Sequence, residues 1–290
     1  MPRIAYVNGR YAPTAQASVN IEDRGYQFAD GVYEYIAFYN RVLLDADAHL
    51  ARLERSLAKL GIGKPMERAP LKLVMRELIE QNGRDDGAIY LQITRGVARR
   101  DHPFPQIPPR PALSMSVFEP KTPKPGEAAK GVRVITHPDE RWKHCDIKSI
   151  SLLAGVLAKQ AAALAGAKEA WLLLPDGTVT EGAASNSFIV TEREGVITHP
   201  ADHHILGGIT RDIVLRLARE NSIGVAERPF SIHEAHTAQE AFLTSTSPNV
   251  LSVVQIDGRT IGNGKPGPVT QKLMALYHSY ILAQTGKDFS

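Results

Sequence analysis

Short runs of β-forming residues, broken by turn dipeptides, constrain this chain more than any other feature. IAYVNGRYA contains Asn8-Gly9, a two-residue hairpin signal, and GVYEYIAFYNRVLL reads as a second hairpin around Asn40-Arg41. Asp176-Gly177 and Asp257-Gly258 repeat the signal later in the chain. These dipeptides accept the left-handed backbone of tight β-turns, so they fold strands back antiparallel. Helical patterns fall between the strands at irregular intervals. HLARLERSLAKLGI places Leu50, Leu53, Leu57 and Leu60 on one helical face. Further helices are expected over residues 70–82, ended by Gly83, over SISLLAGVLAKQAAALAG, over GGITRDIVLRLAREN and over residues 268–282. SIHEAH opens with Ser231 and Glu234 at capping-box spacing. AIYLQITRG, ALSMSVF, VRVITH, AFLTSTS and VLSVVQI read as strands. An irregular mixture of this kind predicts an α+β fold and not a regular βαβ array.

A length of 290 residues suggests two domains. KTPKPGEAAKG, residues 121–131, is rich in Pro, Gly and charge and reads as a linker. The expected organisation is a domain over 1–120, a linker over 121–131 and a domain over 132–290. The apolar share of 43% supports real cores, and the formal charge of only +3 gives no concentrated basic face for nucleic acid. One cysteine, Cys145, permits neither an intramolecular disulfide nor a paired-cysteine zinc site, and fits a reducing compartment. MPRIAYVNGR has no apolar signal core, and no apolar run reaches the roughly 20 residues of a membrane helix. A cytoplasmic protein without a membrane partner is expected. GNGKPG lacks the spacing of a phosphate loop, and HPADHHIL, with His199, His203 and His204, lacks the ligand pattern of a metal centre. No metal site is expected.

The stretch RWKHCDIKSISLLAGVLAKQ holds three lysines. Lys143 lies among polar neighbours and Lys159 on an expected helix surface, both suited to a stem that packs and a head that reaches water. Lys148 sits where a strand-like segment gives way to an apolar helix. An amine desolvated there could attack a carbonyl. If that carbonyl belongs to pyridoxal phosphate, the protein must also supply an acid for the pyridine nitrogen and a cradle for the phosphate. Glu181 in TVTEGAASN is the candidate acid, or else an exposed strand glutamate. Ile209 and Thr210 in GGITR stand at a helix start, where free N–H groups and the dipole favour an anion. Ser245 and Thr246 in TSTS add hydroxyl donors, and Arg52 on the leucine-rich helix adds a planar fork or is a surface residue.

Taken in order, HLARLERS, RWKHCDIKSISLLAGVLAKQ, TVTEGAASN, LGGITRD and TSTS resemble the class IV, or fold type IV, aminotransferases over nearly the whole chain. DRGYQFADGVYE and TRGVARRDH resemble the D-amino-acid transaminase branch. The resemblance implies a small N-terminal α/β domain and a larger C-terminal pseudobarrel domain with pyridoxal 5'-phosphate between them. It implies that Lys148 carries the imine to the cofactor and that Glu181 pairs with its ring nitrogen. Arg52, the Ile209 and Thr210 backbone, Ser245 and Thr246 would hold the phosphate. Tyr33, Arg100 and His102 match the family's trap for the substrate carboxylate. Arg100 and His102 would come from the neighbouring subunit of a homodimer.

The trap also makes chemical sense by itself. In R-x-H on an extended loop, alternate residues share a face, and two donors suit a carboxylate. Ala183 and Ala184 stand where some relatives carry serines after the Glu-Gly, which bears on side-chain preference. The implied reaction is ping-pong transfer of an amino group from a D-amino acid such as D-alanine to a 2-oxo acid such as 2-oxoglutarate. A branched-chain L-amino-acid or (R)-amine transaminase of the same fold is the alternative.

Overall fold

In the computed structural model, which describes residues 3–119, 126–247 and 249–289, the turn dipeptides do what their chemistry allows. Asn8 and Gly9 take φ of 48° and 98° and reverse β1 (Ile4–Val7) into β2 (Arg10–Pro13). Asn40 and Arg41, at φ 48° and 64°, do the same between β3 (Gly31–Tyr39) and β4 (Val42–Leu43). Ahead of β3 lies a one-turn helix, α1 (Arg24–Phe28), whose N-cap Asp23 accepts from the Gly25 N–H. The leucine spacing forms α2 (Ala46–Leu60), and α3 follows over Arg68–Asn82. Gly61 and Gly83 end these helices in the left-handed conformation. β5 (Gly87–Thr94) and β6 (Ala112–Phe118) complete a six-stranded antiparallel sheet in the order β2-β1-β6-β5-β3-β4. In β6 every second residue is buried, Leu113, Met115 and Val117. They join Leu50, Leu53 and Leu57 of α2 and Leu71, Met75 and Leu78 of α3 in one core. Each such side chain removed from water stabilises by about 1.5–3 kcal/mol.

The second part of the chain opens with a single turn, α4 (Glu127–Lys130), followed by β7 (Val132–Pro138). Then come α5 (Leu153–Leu164), β8 (Glu169–Leu173), β9 (Thr178–Gly182), β10 (Asn186–Thr191), β11 (Gly195–Thr198) and α6 (Ile209–Glu220). They are followed by β12 (Val225–Glu227), β13 (Phe230–Ser231), α7 (Ile232–Thr237), β14 (Glu240–Ser245), β15 (Asn249–Ile256), β16 (Arg259–Thr260) and α8 (Pro268–Thr285). The sheet has ten strands in the order β12-β11-β10-β14-β15-β7-β8-β9-β13, with β16 on β15. Most pairs are antiparallel, and β11 with β12, β15 with β7 and β7 with β8 are parallel. Val134, Trp171, Ile189, Leu243 and Val253 fill its core. On the other face Phe188 and Phe242 stack at 4.5 Å. The Ser231 side chain accepts from the Glu234 N–H at 3.1 Å, one half of the expected capping box. The Glu234 carboxylate instead pairs with Arg228.

The chain divides into two compact units. The first gathers the described residues of Met1–Pro120 with Ile147–Ser151 and Ile281–Lys287. The second gathers the described residues of Lys121–Asp146, Leu152–Tyr280 and Asp288–Ser290. Residues 121–125 of the expected linker lie outside the described residues. Ile147–Ser151, expected within the domain over 132–290, groups instead with the first unit, as does Ile281–Lys287. The expected helical run over SISLLAGVLAKQ also begins late, at Leu153. Residues 149 and 150 hydrogen-bond to the start of β3, and strand pairing takes the backbone groups that a helix would have used. No helix among the described residues is long and apolar enough to cross a membrane.

Candidate active site

β3 places the first set of groups. Its alternation puts Val32 and Glu34 inside, with Tyr33 half-buried on the other face. The segment around Lys148 runs beside the start of β3. Tyr33 N–H donates to the Lys148 carbonyl at 2.9 Å, Ile150 N–H donates to Gly31 at 3.1 Å, and Lys148 N–H donates to Ser56 Oγ at 3.2 Å. Ile147, one residue before, is in the core. The backbone of Lys148 is therefore fixed from three sides. Its half-buried side chain ends 3.3 Å from the Tyr33 hydroxyl, with Nζ 4.3 Å from the centroid of the Tyr33 ring. Tyr33 itself stacks on Tyr90 at 5.5 Å. Lys143 is exposed, and Lys159 reaches Glu169 at 3.3 Å. Of the three lysines, Lys148 alone belongs to the first unit.

Arg52 is buried and engaged bidentately by Glu34, with Nε to Oε1 at 2.8 Å and Nη2 to Oε2 at 2.7 Å. His49 Nδ1 lies 2.7 Å from the same carboxylate. Burial pushes the Glu34 carboxyl up, but the charge and hydrogen bonds of Arg52 and the bond to His49 outweigh it and bring it down to about 2. Burial holds His49 below its ordinary value. Glu34 escaped the sequence reading, although a lone acid inside the apolar run GVYEYIAFY demands a cation, and Arg52 follows His49 at i+3 on α2.

In the second unit Glu181 is buried on β9. Its Oε1 accepts from Arg141 and, at 3.1 Å, from the Leu206 N–H, while Oε2 accepts from Asn186 Nδ2 at 2.9 Å. The alternative of an exposed strand glutamate is thereby excluded. Arg141 also grips Asp139 through Nε at 2.9 Å and Nη2 at 2.8 Å, and donates to the His204 carbonyl at 3.0 Å. Burial disfavours the charge on Arg141, yet Asp139 and Glu181 more than compensate and raise its pKa. Burial likewise raises the Asp139 carboxyl, and the bonds from Arg141 overcome this and lower it. Arg141 was missed as a site residue; Asp139-x-Arg141 directly after β7 is the signal that pointed to it.

Ile209 and Thr210 open α6, are buried, and follow an N-cap, Gly208, that has no side chain to satisfy their N–H groups. A Cβ at Gly208 would stand 2.1 Å from Asn186 Oδ1, so the glycine lets the helix start approach the residue that holds Glu181. Ser245 ends β14 and Thr246 follows in a turn, both half-buried. Arg100 and His102 lie on an exposed loop. Both rest against Phe28, the Arg100 guanidinium 5.1 Å from its ring and the His102 ring 5.5 Å away. Ala183 is half-buried and Ala184 exposed, and the hydroxyl of Ser185 turns to Glu169 at 3.1 Å. Asp202, His203 and His204 bring one potential ligand atom each within 4.8 Å of the others. The carboxylate there already accepts from the His204 N–H at 2.8 Å.

One unit thus offers an amine beside a phenol, which suits an aldehyde. The other offers a buried carboxylate held by a guanidinium, which suits a protonated ring nitrogen, and a helix start without a side-chain cap, which suits an anion. The chain belongs to the class IV aminotransferase family, whose model, amino-transferase class IV, matches residues 31–256. Within the family it is 44% identical over 285 residues to a D-alanine aminotransferase of Bacillus licheniformis, covering 97% of this chain and 98% of that protein. It is 38% identical to a D-alanine aminotransferase of Staphylococcus aureus strain N315, covering 95% and 97%. Its fold is the fold type IV aminotransferase fold. It superposes with a TM-score of 0.82 on the branched-chain amino acid aminotransferase from Thermobaculum terrenum in its PLP-form, at 25% identity and covering 98% and 95% of the two chains. With the Escherichia coli branched-chain amino acid aminotransferase the TM-score is 0.86 at 23% identity, covering 99% and 96%.

Proposed function

We infer that this chain is a D-amino-acid transaminase. It would move the amino group of a D-amino acid such as D-alanine to a 2-oxo acid such as 2-oxoglutarate, with pyridoxal 5'-phosphate as cofactor, as a homodimer. The observation that carries this is the near full-length likeness to D-alanine aminotransferases at 38–44% identity, joined to a lysine amine set against the Tyr33 hydroxyl.

When bound, pyridoxal 5'-phosphate supplies an aldehyde carbon and an electron-withdrawing ring. Lys148 would hold the aldehyde through Nζ and, as a free amine, would take the proton from the substrate Cα and deliver it to the aldehyde-derived carbon. The Tyr33 hydroxyl, 3.3 Å from Nζ, restrains that amine in the position from which it acts. Glu181 would face the ring nitrogen, with Arg141 and Asn186 fixing the orientation of its carboxylate. Ile209 and Thr210 N–H groups, Ser245, Thr246 and Arg52 would hold the phosphate. Arg52 enters with its orientation already set by Glu34. Arg100 and His102 of a neighbouring subunit, with Tyr33, would bind the substrate carboxylate. The side of Cα that faces Lys148 then decides the configuration accepted.

A panel of D- and L-amino acids with 2-oxoglutarate, followed by the cofactor spectrum, tests this. Turnover of D-alanine with L-alanine and L-leucine inert is expected. Reaction of branched L-acids alone would transfer the chain to the branched-chain aminotransferases.

A further inference from the structure

We propose that Arg24 is the positioning residue of the R-x-H loop, fixing Arg100 and His102 through the main-chain carbonyls of residues 101–103. The inference rests on the assignment of that loop as the carboxylate trap. Arg100 and His102 are exposed, and a long exposed side chain explores many rotamers. Their placement therefore depends on the backbone that carries them. Arg24 is 3% exposed and donates from Nη1 to the Asp101 carbonyl at 2.6 Å and from Nη2 to the His102 carbonyl at 3.3 Å. Nη1 also lies 3.5 Å from the Pro103 carbonyl. A planar fork can address three successive carbonyls in this way; an ammonium cannot.

The far side of the same guanidinium is anchored. Nε donates to Asp30 Oδ2 at 2.8 Å. Asp30 is shared with Arg95, whose Nε and Nη2 reach it at 2.7 and 3.0 Å. Arg95 in turn donates to the Leu60 and Gly61 carbonyls at 2.8 and 3.0 Å, at the C-terminus of α2, where a cation is favoured. The end of a packed helix is thus linked through two arginines and one aspartate to the loop. The loop base is held as well: Arg24 N–H donates to Gly96 at 3.0 Å, and Asp23 bridges Val97. Gly96, at φ 100°, turns where a Cβ would meet the Arg110 carbonyl at 2.1 Å. Phe28 completes the arrangement, with the Arg24 and Arg100 guanidiniums 4.7 and 5.1 Å from its ring. A carboxylate-binding pair held in place before substrate arrives avoids the entropy of ordering it afterwards.

The test uses the full-length holoenzyme and the variants Arg24→Met, Arg24→Lys and Phe28→Leu. Propionate, a carboxylate without an amine, is titrated by the cofactor absorbance. Hydroxylamine, an amine without a carboxylate, is followed as the rate of cofactor release. For Arg24→Met, the KM for D-alanine and the propionate dissociation constant should each rise about tenfold, the loss of one charge-assisted contact. The hydroxylamine rate should stay within about twofold, because that reagent does not use the trap. Arg24→Lys should recover part of the loss. Amide exchange should accelerate at residues 99–104 and not in β3 or β5. Unchanged propionate binding with an unchanged loop overturns the proposal. So does a parallel loss of hydroxylamine reactivity and of protection throughout the unit, the mark of a purely structural residue. If Arg24→Met fails to fold, Phe28→Leu decides by the same propionate and hydroxylamine comparison. A wild-type protein inert to D-alanine would refute the transaminase assignment, while loop exchange would still judge the role of Arg24.

Discussion

Glu34 has no exposed surface, yet it carries a charge. Its partners Arg52 and His49 sit on α2, which lays its apolar face against β3. Because the folded carboxyl, at about 2, lies below its unfolded value, ionised Glu34 stabilises the fold fully above the usual carboxylate range. The stabilisation is lost as pH falls towards 2, and amounts to about 3 kcal/mol. His49, held below its ordinary value by burial, adds a loss in the same direction as pH drops below the imidazole range. Thermal melts from pH 7 to pH 3 should therefore show a falling Tm. Glu34→Gln should melt lower at pH 7, by about 3–5 kcal/mol of stability for a stranded Arg52, and should show a flatter pH profile. A steep profile in the variant would remove Glu34 as the cause. At this scale the sequence singles out Lys148 and Glu181 as candidates because each is a charge set in an apolar context. The contacts of Arg141 with Glu181, of Glu34 with Arg52 and of Arg24 with the Asp101 carbonyl span 40, 18 and 77 residues, farther than spacing rules reach.

α6 starts without a side-chain cap, and Gly208 allows it to start close to Asn186. Gly208→Ala would place a methyl 2.1 Å from Asn186 Oδ1, so Asn186 must turn and release Glu181 Oε2. Cofactor retention through gel filtration, read by absorbance, should weaken by about tenfold with far-UV circular dichroism unchanged. Full retention would show that Asn186 does not act on the site. Elements with strong local signals were legible: α2 from its leucines, α3 up to its glycine cap, and the hairpins at Asn8-Gly9 and Asp257-Gly258. The start of α5 was not, since Ser149 and Ile150 have helical spacing and are claimed by β3. Local periodicity cannot see a strand that offers its backbone from more than a hundred residues earlier.

For the molecule as a whole, the homodimer is the proposal with the sharpest consequence. If Arg100 acts across the subunit boundary, the variants Lys148→Ala and Arg100→Ala complement each other. Each is impaired alone, but a mixed dimer has one site with an intact Lys148 and an intact Arg100 from its partner. Co-expression with random pairing should restore about a quarter of wild-type activity at low D-alanine. No recovery would place Arg100 in its own subunit's site or outside any site. Charge and composition argue against whole classes of function, but which subunit would supply which residue depends on an interface that periodicity does not report. The grouping of Ile147–Ser151 with Met1–Pro120 has a consequence of another kind. A ribosome that has released the first 120 residues has delivered every strand of the six-stranded sheet. The short segment that lies beside the start of β3, and the lysine it carries, have yet to emerge. Nascent chains can collapse as soon as a sheet is complete. The first unit must therefore wait, with that stretch of backbone still open, until Lys148 arrives after synthesis has passed the midpoint.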